Sequence, residues 1–195
     1  LGWATGMALA AGAMTGIGRV VLADNSVGKA RDKFMLPDPA RIGPPTTVSP
    51  PSQTKLIDTA GLSPYLTPNE DFYRIDTALS VPMVDPKAWL LSIEGLVEKP
   101  YHLDFNELLA MDLVQHTITL CCVSNEVGGP LVGNATWTGI PIEQILERAR
   151  PRSGAEQVMA QSVDGFTAGF PLDHVSDGRT ALLAVGMNGE PLPLT

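Results

Sequence analysis

The chain has 195 residues, of which 44% are hydrophobic and 17% charged, and its formal net charge is −8. This composition is typical of a globular protein and excludes a disordered chain. An acidic surface lacks the cations that phosphate binding needs, so we expect no nucleic-acid partner; two cysteines also exclude a disulfide-stapled scaffold.

The amino-terminal stretch LGWATGMALAAGAMTGIG carries no charge, and RVVLA extends it to residue 23. A helix of that length would span roughly 34 Å, which is enough to cross a bilayer. Gly2 and Gly6 have the spacing of small residues that lets membrane helices approach closely. We therefore predict a transmembrane helix over residues 1–23. A buried Ala/Gly-rich helix and the remnant of a signal segment are the alternatives.

Prolines are concentrated after this stretch, with six of the chain's 17 between residues 37 and 51. Proline removes a backbone donor and favours an extended chain. We predict a stiff Pro-rich linker over residues 24–56 and a folded domain over residues 57–195. Because the chain starts at Leu1 and stops soon after the turn signal NGEP, we expect an internal fragment of a longer protein.

Helix and strand patterns are mixed in the predicted domain. The segment 104–111 opens with a capping box, since Asp104 is followed by Glu107 three positions later. The segment 139–149 has an apolar stripe at helical spacing, with Pro141 in its first turn. Strand patterns cover residues 88–97, 116–123, 158–163 and 181–187, and NGEP at 188–191 is typical of a turn. Short helices among mostly non-alternating strands predict an α+β fold with substantial sheet.

Two adjacent cysteines, Cys121 and Cys122, end the strand pattern of residues 116–123. Adjacent cysteines rarely bridge each other because the geometry of the bond is narrow. Successive side chains on a strand face opposite ways, so one thiol packs while the other can face a site. The polar, glycine-containing loop that follows favours a functional side chain here, although two buried cysteines acting as small hydrophobes are the alternative.

Three chemistries use a single presented thiol. A zinc site needs three or four ligands, and only His116 shares the strand face of Cys122. A cysteine nucleophile needs a histidine with an orienting group, and the three histidines of the chain lie in no known local signature. The third is a soft-metal cofactor that takes one thiolate from the protein and its other ligands from elsewhere.

The stretches TPNEDFYRIDTALSVPMVDPKAWLLSIEGLVEKP (67–100), TLCCVSNEVGG and GNATWTGIPIEQIL (119–146), with DGFTAGFPL and LLAVGMNGEPLP between residues 164 and 194, carry a resemblance. Together they resemble the molybdopterin domain of the sulfite oxidase family, which includes a bacterial periplasmic methionine-sulfoxide reductase subunit. The chain looks most like the membrane-tethered bacterial members. The resemblance implies a partial sulfite oxidase-type molybdopterin-binding domain with a molybdenum–molybdopterin cofactor.

The resemblance also implies roles for individual residues. In the family the pattern T-L-x-C ends in the cysteine that ligates molybdenum, which is Cys122 here. The run N-x-x-F-Y-R makes Asn69, Tyr73 and Arg74 candidate pterin contacts, and Ser162 lies where relatives have a pterin-contacting Ser or Thr. The implied chemistry is two-electron oxygen-atom transfer on a small-molecule substrate.

The loop after Cys122 departs from the family pattern. Sulfite oxidases usually have an arginine-rich run there, whereas this chain has Val-Ser-Asn-Glu-Val. We expect Glu126 to repel an anion in a partly desolvated pocket, so our hypothesis is that sulfite is not the substrate. The resemblance implies later phosphate-contacting and dimerisation segments beyond residue 195, and we expect residues 1–195 alone not to hold the cofactor.

The resemblance implies a membrane-anchored enzyme whose catalytic domain is extracytoplasmic, with an electron-transfer partner such as a haem protein. Basic residues from Arg19 to Lys33 favour a cytoplasmic side instead, and without the upstream flank the charges do not decide orientation. A different class of function is open as well. A non-catalytic binding or scaffolding module would keep the fold and lack the cofactor.

Overall fold

A computed structural model describes residues 33–42, 63–79 and 82–192. The predicted transmembrane helix over residues 1–23 lies outside these ranges, as does most of the predicted linker. Within the described residues, no helix has the length and apolar character that a membrane crossing needs.

The described residues fall into two units, one with residues 33–34 and 83–89 and one with residues 35–42, 63–79, 82 and 90–192. In the described part of the first unit a turn follows Asp85, whose carboxylate accepts from the Lys87 N–H at 3.0 Å. All helices and strands given below belong to the second unit.

The second unit has eight strands and two α-helices among its described residues. The strands are β1 (Leu90–Ile93), β2 (Tyr101–Asp104), β3 (Val114–Cys121), β4 (Val132–Pro141), β5 (Gln157–Gln161), β6 (Thr167–Pro171), β7 (Leu182–Met187) and β8 (Glu190–Pro191). The helices are α1 (Phe105–Ala110) and α2 (Ile142–Ala149). Single 3₁₀ turns cover Pro39–Arg41, Asn69–Asp71 and Leu172–Val175.

The main sheet is antiparallel and runs in the order β3-β4-β7-β8. At one end of β3, Cys121 pairs with Val132 of β4. A register shift interrupts the β4–β7 ladder between Thr138 and Gly139. A Cβ on Gly139 would lie 2.5 Å from the Leu183 carbonyl oxygen, so this close approach of the two strands requires glycine. The bulge therefore sets the twist and register of the sheet's centre.

The core lies between this sheet and the helices. Leu103, Leu108 and Ile140 are at most 1% exposed. The buried hydroxyl of Thr138 is paired, since it accepts from the Gln115 Nε2 at 3.1 Å. Burial of such side chains supplies most of the stabilisation of a fold of this size. Two further antiparallel pairs, β1–β2 and β5–β6, complete the second unit.

Most predicted elements are confirmed. The strand pattern of 88–97 appears as β1, that of 116–123 as β3 and that of 181–187 as β7. The apolar stripe of 139–149 forms α2, in which Ile145 and Ala149 are buried. The helix begins only at Ile142, and Pro141 ends β4 instead of lying in the first turn of the helix, so that part of the prediction is wrong. The sequence analysis missed β2, β4, β6 and β8, and it assigned the residues of β8 to the NGEP turn. β4 (VGNATWTGIP) contains two Gly, one Asn and one Pro, which disfavour strands, and it is a strand because β3 and β7 pair with its two edges.

Part of the predicted linker packs against the sheet. Ile42 is 8% exposed, and Leu36 lies so close to Gly186 that a Cβ there would be 2.7 Å from its Cδ1. Apolar side chains beside the prolines explain this packing, because burying them is favourable. We did not expect it from proline content alone.

The predicted capping box is formed at the start of α1. The Asp104 carboxylate accepts from the Glu107 N–H at 2.8 Å, and the Glu107 carboxylate accepts from the Asp104 N–H at 3.0 Å. We expect Asp104→Ala to lower the free energy of unfolding by about 1 kcal/mol, measured by urea denaturation. Asp104→Asn keeps an acceptor at the cap and should cost much less; an equal loss in both variants would contradict the capping role.

Candidate active site

Cys122 follows β3 directly, at the point where the strand enters a loop. Its N–H still donates to the Leu131 carbonyl at 2.9 Å, so the backbone here is held in the extension of the β3–β4 ladder. The Cys122 side chain is half-buried, and that of Cys121 is exposed. Neither thiol is the fully buried small hydrophobe that was the alternative interpretation.

An open cavity of about 490 Å³ lies over this end of the sheet. Its floor comes from the sheet and its wall from the segment that precedes the first strand. It is lined by Asn69, Phe72, Tyr73, Arg74, Ile75, Leu120, Cys122, Trp137, Met187 and Leu192. Cys121 is not among these residues, as expected from strand alternation. The size falls in the range of small-molecule and cofactor sites.

The cavity wall, residues 69–75, packs on the sheet through Phe72. A Cβ on Gly133 would lie 2.5 Å from the Phe72 ring, so glycine at this position lets the ring lie on β4. The Phe72 ring meets the Trp137 ring edge-on, with 5.5 Å between the ring centroids. The Tyr73 ring stacks on the Phe72 ring, with 5.3 Å between the centroids. This aromatic group places Tyr73 and Arg74 beside the same cavity as Cys122.

Four of the five predicted site residues therefore come together at one cavity: Asn69, Tyr73, Arg74 and Cys122. Ser162 does not line it. Ser162 is exposed in the β5–β6 turn, where its N–H donates to the Phe166 carbonyl at 2.9 Å and its hydroxyl donates to Asp164. Its role as a pterin contact stays a prediction.

Glu126, the proposed anion-repelling charge, is exposed and does not line the cavity. The loop turns it away because the Asn125 side chain accepts from the Leu131 N–H at 2.8 Å and closes residues 125–131 into a compact turn. Because of this position, Glu126 gives little support to the hypothesis that sulfite is not the substrate. The hypothesis still has the support that residues 123–131 contain no Lys or Arg.

The electrostatics of the site favour a thiolate and a protonated phenol. The Ser124 hydroxyl lies 3.1 Å from the Cys122 sulfur, and this hydrogen bond, with the Ser124 and Val123 N–H groups, lowers the pKa of the Cys122 thiol. Burial raises the pKa of Tyr73, and the charges of the two cysteine thiolates act in the same direction. At neutral pH the Tyr73 hydroxyl is thus a hydrogen-bond donor at the cavity.

Ser124 was not singled out by the sequence analysis. The signal is nonetheless present, because a hydroxyl two residues after a strand-end cysteine can reach back to its sulfur. We expect Ser124→Ala to raise the pKa of Cys122, since the thiolate loses its largest stabilising contact. The measurement is the thiolate ultraviolet absorbance against pH in a Cys121→Ser background without cofactor. Ser124→Thr keeps the hydroxyl, and an equal rise in that variant would contradict the assignment.

The cavity can hold a group that binds one thiolate. Within the described ranges, no three His, Cys, Asp or Glu side chains cluster as a protein-only metal site. A single thiolate among neutral and cationic partners fits a soft metal whose other ligands come from a cofactor. Arg74, held by Asp76 at 2.9 Å, adds a cation at the rim for an anionic group of such a cofactor.

Comparison with known proteins identifies the domain. A family model described as "Oxidoreductase molybdopterin binding domain" matches residues 78–195. Among solved structures, the sulfane dehydrogenase SoxCD of Paracoccus pantotrophus matches with a TM-score of 0.60 and 25% identity, over 69% of this chain and 38% of that chain.

Curated relatives also match. The nitrate reductase [NADPH] of Aspergillus niger is 32% identical over 86% of this chain and 22% of the relative. The catalytic subunit of the protein-methionine-sulfoxide reductase MsrP of Gluconobacter oxydans is 31% identical over 65% of this chain and 48% of the relative. The uncharacterized oxidoreductase YuiH of Bacillus subtilis is 32% identical over 55% of this chain and 52% of the relative. The chain thus spans about half or less of these relatives.

These matches confirm the predicted resemblance and the predicted cofactor, molybdenum–molybdopterin, and they show a partial domain of sulfite oxidase type with mixed sheet and helix. The family model covers more than half of the chain, including the cysteine at the cavity. On this evidence, the chain belongs to the family of oxidoreductase molybdopterin-binding domains.

Proposed function

We propose that the protein is a molybdopterin-dependent oxidoreductase in which Cys122 is the protein ligand of molybdenum. The observation that supports this most strongly is the position of the Cys122 thiol. It faces a cavity of about 490 Å³, and hydrogen bonds from Ser124 and Val123 lower its pKa. A metal-bound thiol must be deprotonated, and these contacts favour the required state.

The residues around Cys122 fit the cofactor in chemical type. When bound, the cofactor supplies two-electron oxygen-atom transfer at molybdenum. The Cys122 thiolate holds the metal from the end of β3. The protonated Tyr73 hydroxyl would donate a hydrogen bond to the cofactor, and Asp76 orients the Arg74 guanidinium at the rim. Asn69, Tyr73, Arg74 and, from the resemblance, Ser162 are the proposed pterin contacts.

The substrate that we propose is a small molecule other than sulfite. The names of these relatives refer to nitrate, to protein methionine sulfoxide and to sulfane, so the fold supports more than one substrate. The cavity lining is mostly apolar and aromatic, and residues 123–131 contribute no cation. Arg74 is the single cation of this lining and is already paired with Asp76 at 2.9 Å, so these surroundings stabilise a doubly charged anion poorly.

We also propose, from the resemblance, an electron-transfer partner such as a haem protein, a membrane anchor over residues 1–23 and an extracytoplasmic catalytic domain. Proteolysis of intact spheroplasts distinguishes the two sides of the membrane. Protection of the domain in intact spheroplasts and its cleavage after lysis would contradict the extracytoplasmic placement.

The function is tested on full-length protein produced with molybdate. We expect close to one molybdenum per chain by elemental analysis. A folded protein without molybdenum would contradict the enzyme and support the non-catalytic binding or scaffolding module. Sulfite turnover within the usual range of enzyme rates would contradict only the substrate proposal.

A further inference from the structure

The turn between β7 and β8 contains Asn188, whose side chain contacts Thr67 and Asn69 but does not line the cavity. Asn188 and Gly189 have positive φ angles of 51° and 82°. This Asn-Gly pair is typical of a type I′ hairpin turn, whose twist matches that of the flanking strands. The turn requires Asn, Asp or Gly at position 188, but it does not by itself explain the contacts that the Asn188 side chain makes.

The Asn188 amide uses both of its donors on residues 67–69, where the segment that forms the cavity wall begins. Its Nδ2 donates to the Thr67 carbonyl at 3.0 Å and to the Asn69 Oδ1 at 2.8 Å. Its Oδ1 accepts from the Thr136 N–H of β4 at 3.0 Å, and its own N–H donates to the Thr136 carbonyl at 2.7 Å. The half-buried side chain thus joins the central sheet to residues 67–69.

Asn69 continues the connection. While its Oδ1 accepts from Asn188, its Nδ2 donates to the Met187 carbonyl at 3.3 Å and to the Glu190 carboxylate at 3.0 Å. An Asn amide has two N–H donors, and both of these are used within the chain. Asn69 is therefore held from both sides of the β7–β8 turn, and what it can still offer a cofactor is acceptor capacity on its oxygen.

The cavity wall depends on such contacts because it has little regular structure. After the 3₁₀ turn Asn69–Asp71, the residues from Phe72 to Leu79 form neither helix nor strand. Backbone ladder bonds therefore do not fix Tyr73 and Arg74. The residues just before the turn are tied to β4 through Asn134, whose carbonyl accepts from the Thr67 N–H at 2.7 Å. Phe72 packs on β4 from within the wall, and the group of hydrogen bonds around Asn188 is the polar connection between the wall and the β7–β8 turn.

We propose that Asn188 is a positioning residue, which holds Asn69 and with it the wall of Tyr73 and Arg74 at a set distance from Cys122. Asn188 does not line the cavity, so it acts through Asn69 rather than by touching the cofactor. The inference deepens the proposed function, since the wall matters only if Cys122 binds the metal.

The first test uses full-length protein produced without molybdate, in a Cys121→Ser background. The rate of iodoacetamide alkylation at Cys122 is followed at fixed pH by peptide mass spectrometry. We expect Asn188→Gly, which keeps the turn, and Asn69→Ala each to raise the rate several-fold, because the wall moves away from the thiol. The double variant should react no faster than the faster single variant, since both changes break one connection.

Asp104→Ala is the control for general loosening, because it weakens α1 without touching the wall. An unchanged rate in Asn188→Gly, an effect as large in Asp104→Ala, or rates that multiply in the double variant would each overturn the proposal. The second readout is molybdenum retained by full-length protein after dialysis. We expect retention to fall in Asn188→Gly and to stay at the wild-type level in Asp104→Ala, and equal retention in the two variants would overturn the proposal.

The two proposals fail in different ways. Wild-type protein that takes up no molybdenum would contradict the proposed function, whereas the alkylation rates would still decide the role of Asn188. Molybdenum-loaded wild type with additive alkylation effects would leave the enzyme intact and reject the positioning role.

Discussion

Replacing Cys122 by serine should abolish molybdenum binding and activity in the full-length protein. A serine hydroxyl stays protonated at neutral pH and is a hard ligand, whereas the metal needs a soft thiolate. Loss of an outer-shell partner alone costs on the order of 10- to 100-fold in metal affinity, so loss of the ligand should exceed that. Elemental analysis after gel filtration and a steady-state assay with an artificial electron donor measure the two effects.

The neighbouring cysteine is the matched control. Cys121→Ser changes the same atom one position earlier, on an exposed side chain that does not line the cavity. We expect near wild-type molybdenum content in this variant. Equal losses in the two variants would contradict the structure, in which the side chain of Cys122 lines the cavity and that of Cys121 does not.

Gly139→Ala should be the most destabilising single methyl addition in the main sheet. The new Cβ would lie 2.5 Å from the Leu183 carbonyl oxygen and 2.9 Å from the Ala184 Cα. Both are backbone atoms, so no rotamer change relieves the clash, and β4 must move away from β7. We expect a loss of about 3 kcal/mol in the free energy of unfolding, at the upper end for overpacking, measured by urea denaturation.

Gly169→Ala provides the comparison at another strand glycine. There the new Cβ would meet the end of the Met159 side chain at 3.1 Å, which can rotate away. We expect a change of less than about 1 kcal/mol. Similar losses at Gly139 and Gly169 would mean that strand propensity, and not the close approach of β4 to β7, controls the cost.

The sequence was sufficient for features that depend on local pattern. The capping box of Asp104 and Glu107 and the apolar stripe of α2 depend on residues three or four apart, and both form as predicted. The alternation of β1 needs only a period of two. The stretches 67–100, 119–146 and 164–194 together predicted the family and its cofactor, which the comparisons confirm.

Only the tertiary structure decided which of these residues meet. β4 is a strand because neighbours pair with both of its edges, although its Gly, Asn and Pro residues disfavour strands. Asn69 and Asn188 are 119 positions apart and touch because β7 and β8 bring the turn to the wall. Glu126, adjacent to the site in sequence, is turned outward by the closed loop. Local pattern thus determines helices, strands and motifs. Contacts between distant residues depend instead on how the strands assemble into the sheet, because residues far apart in sequence can be neighbours in a packed fold.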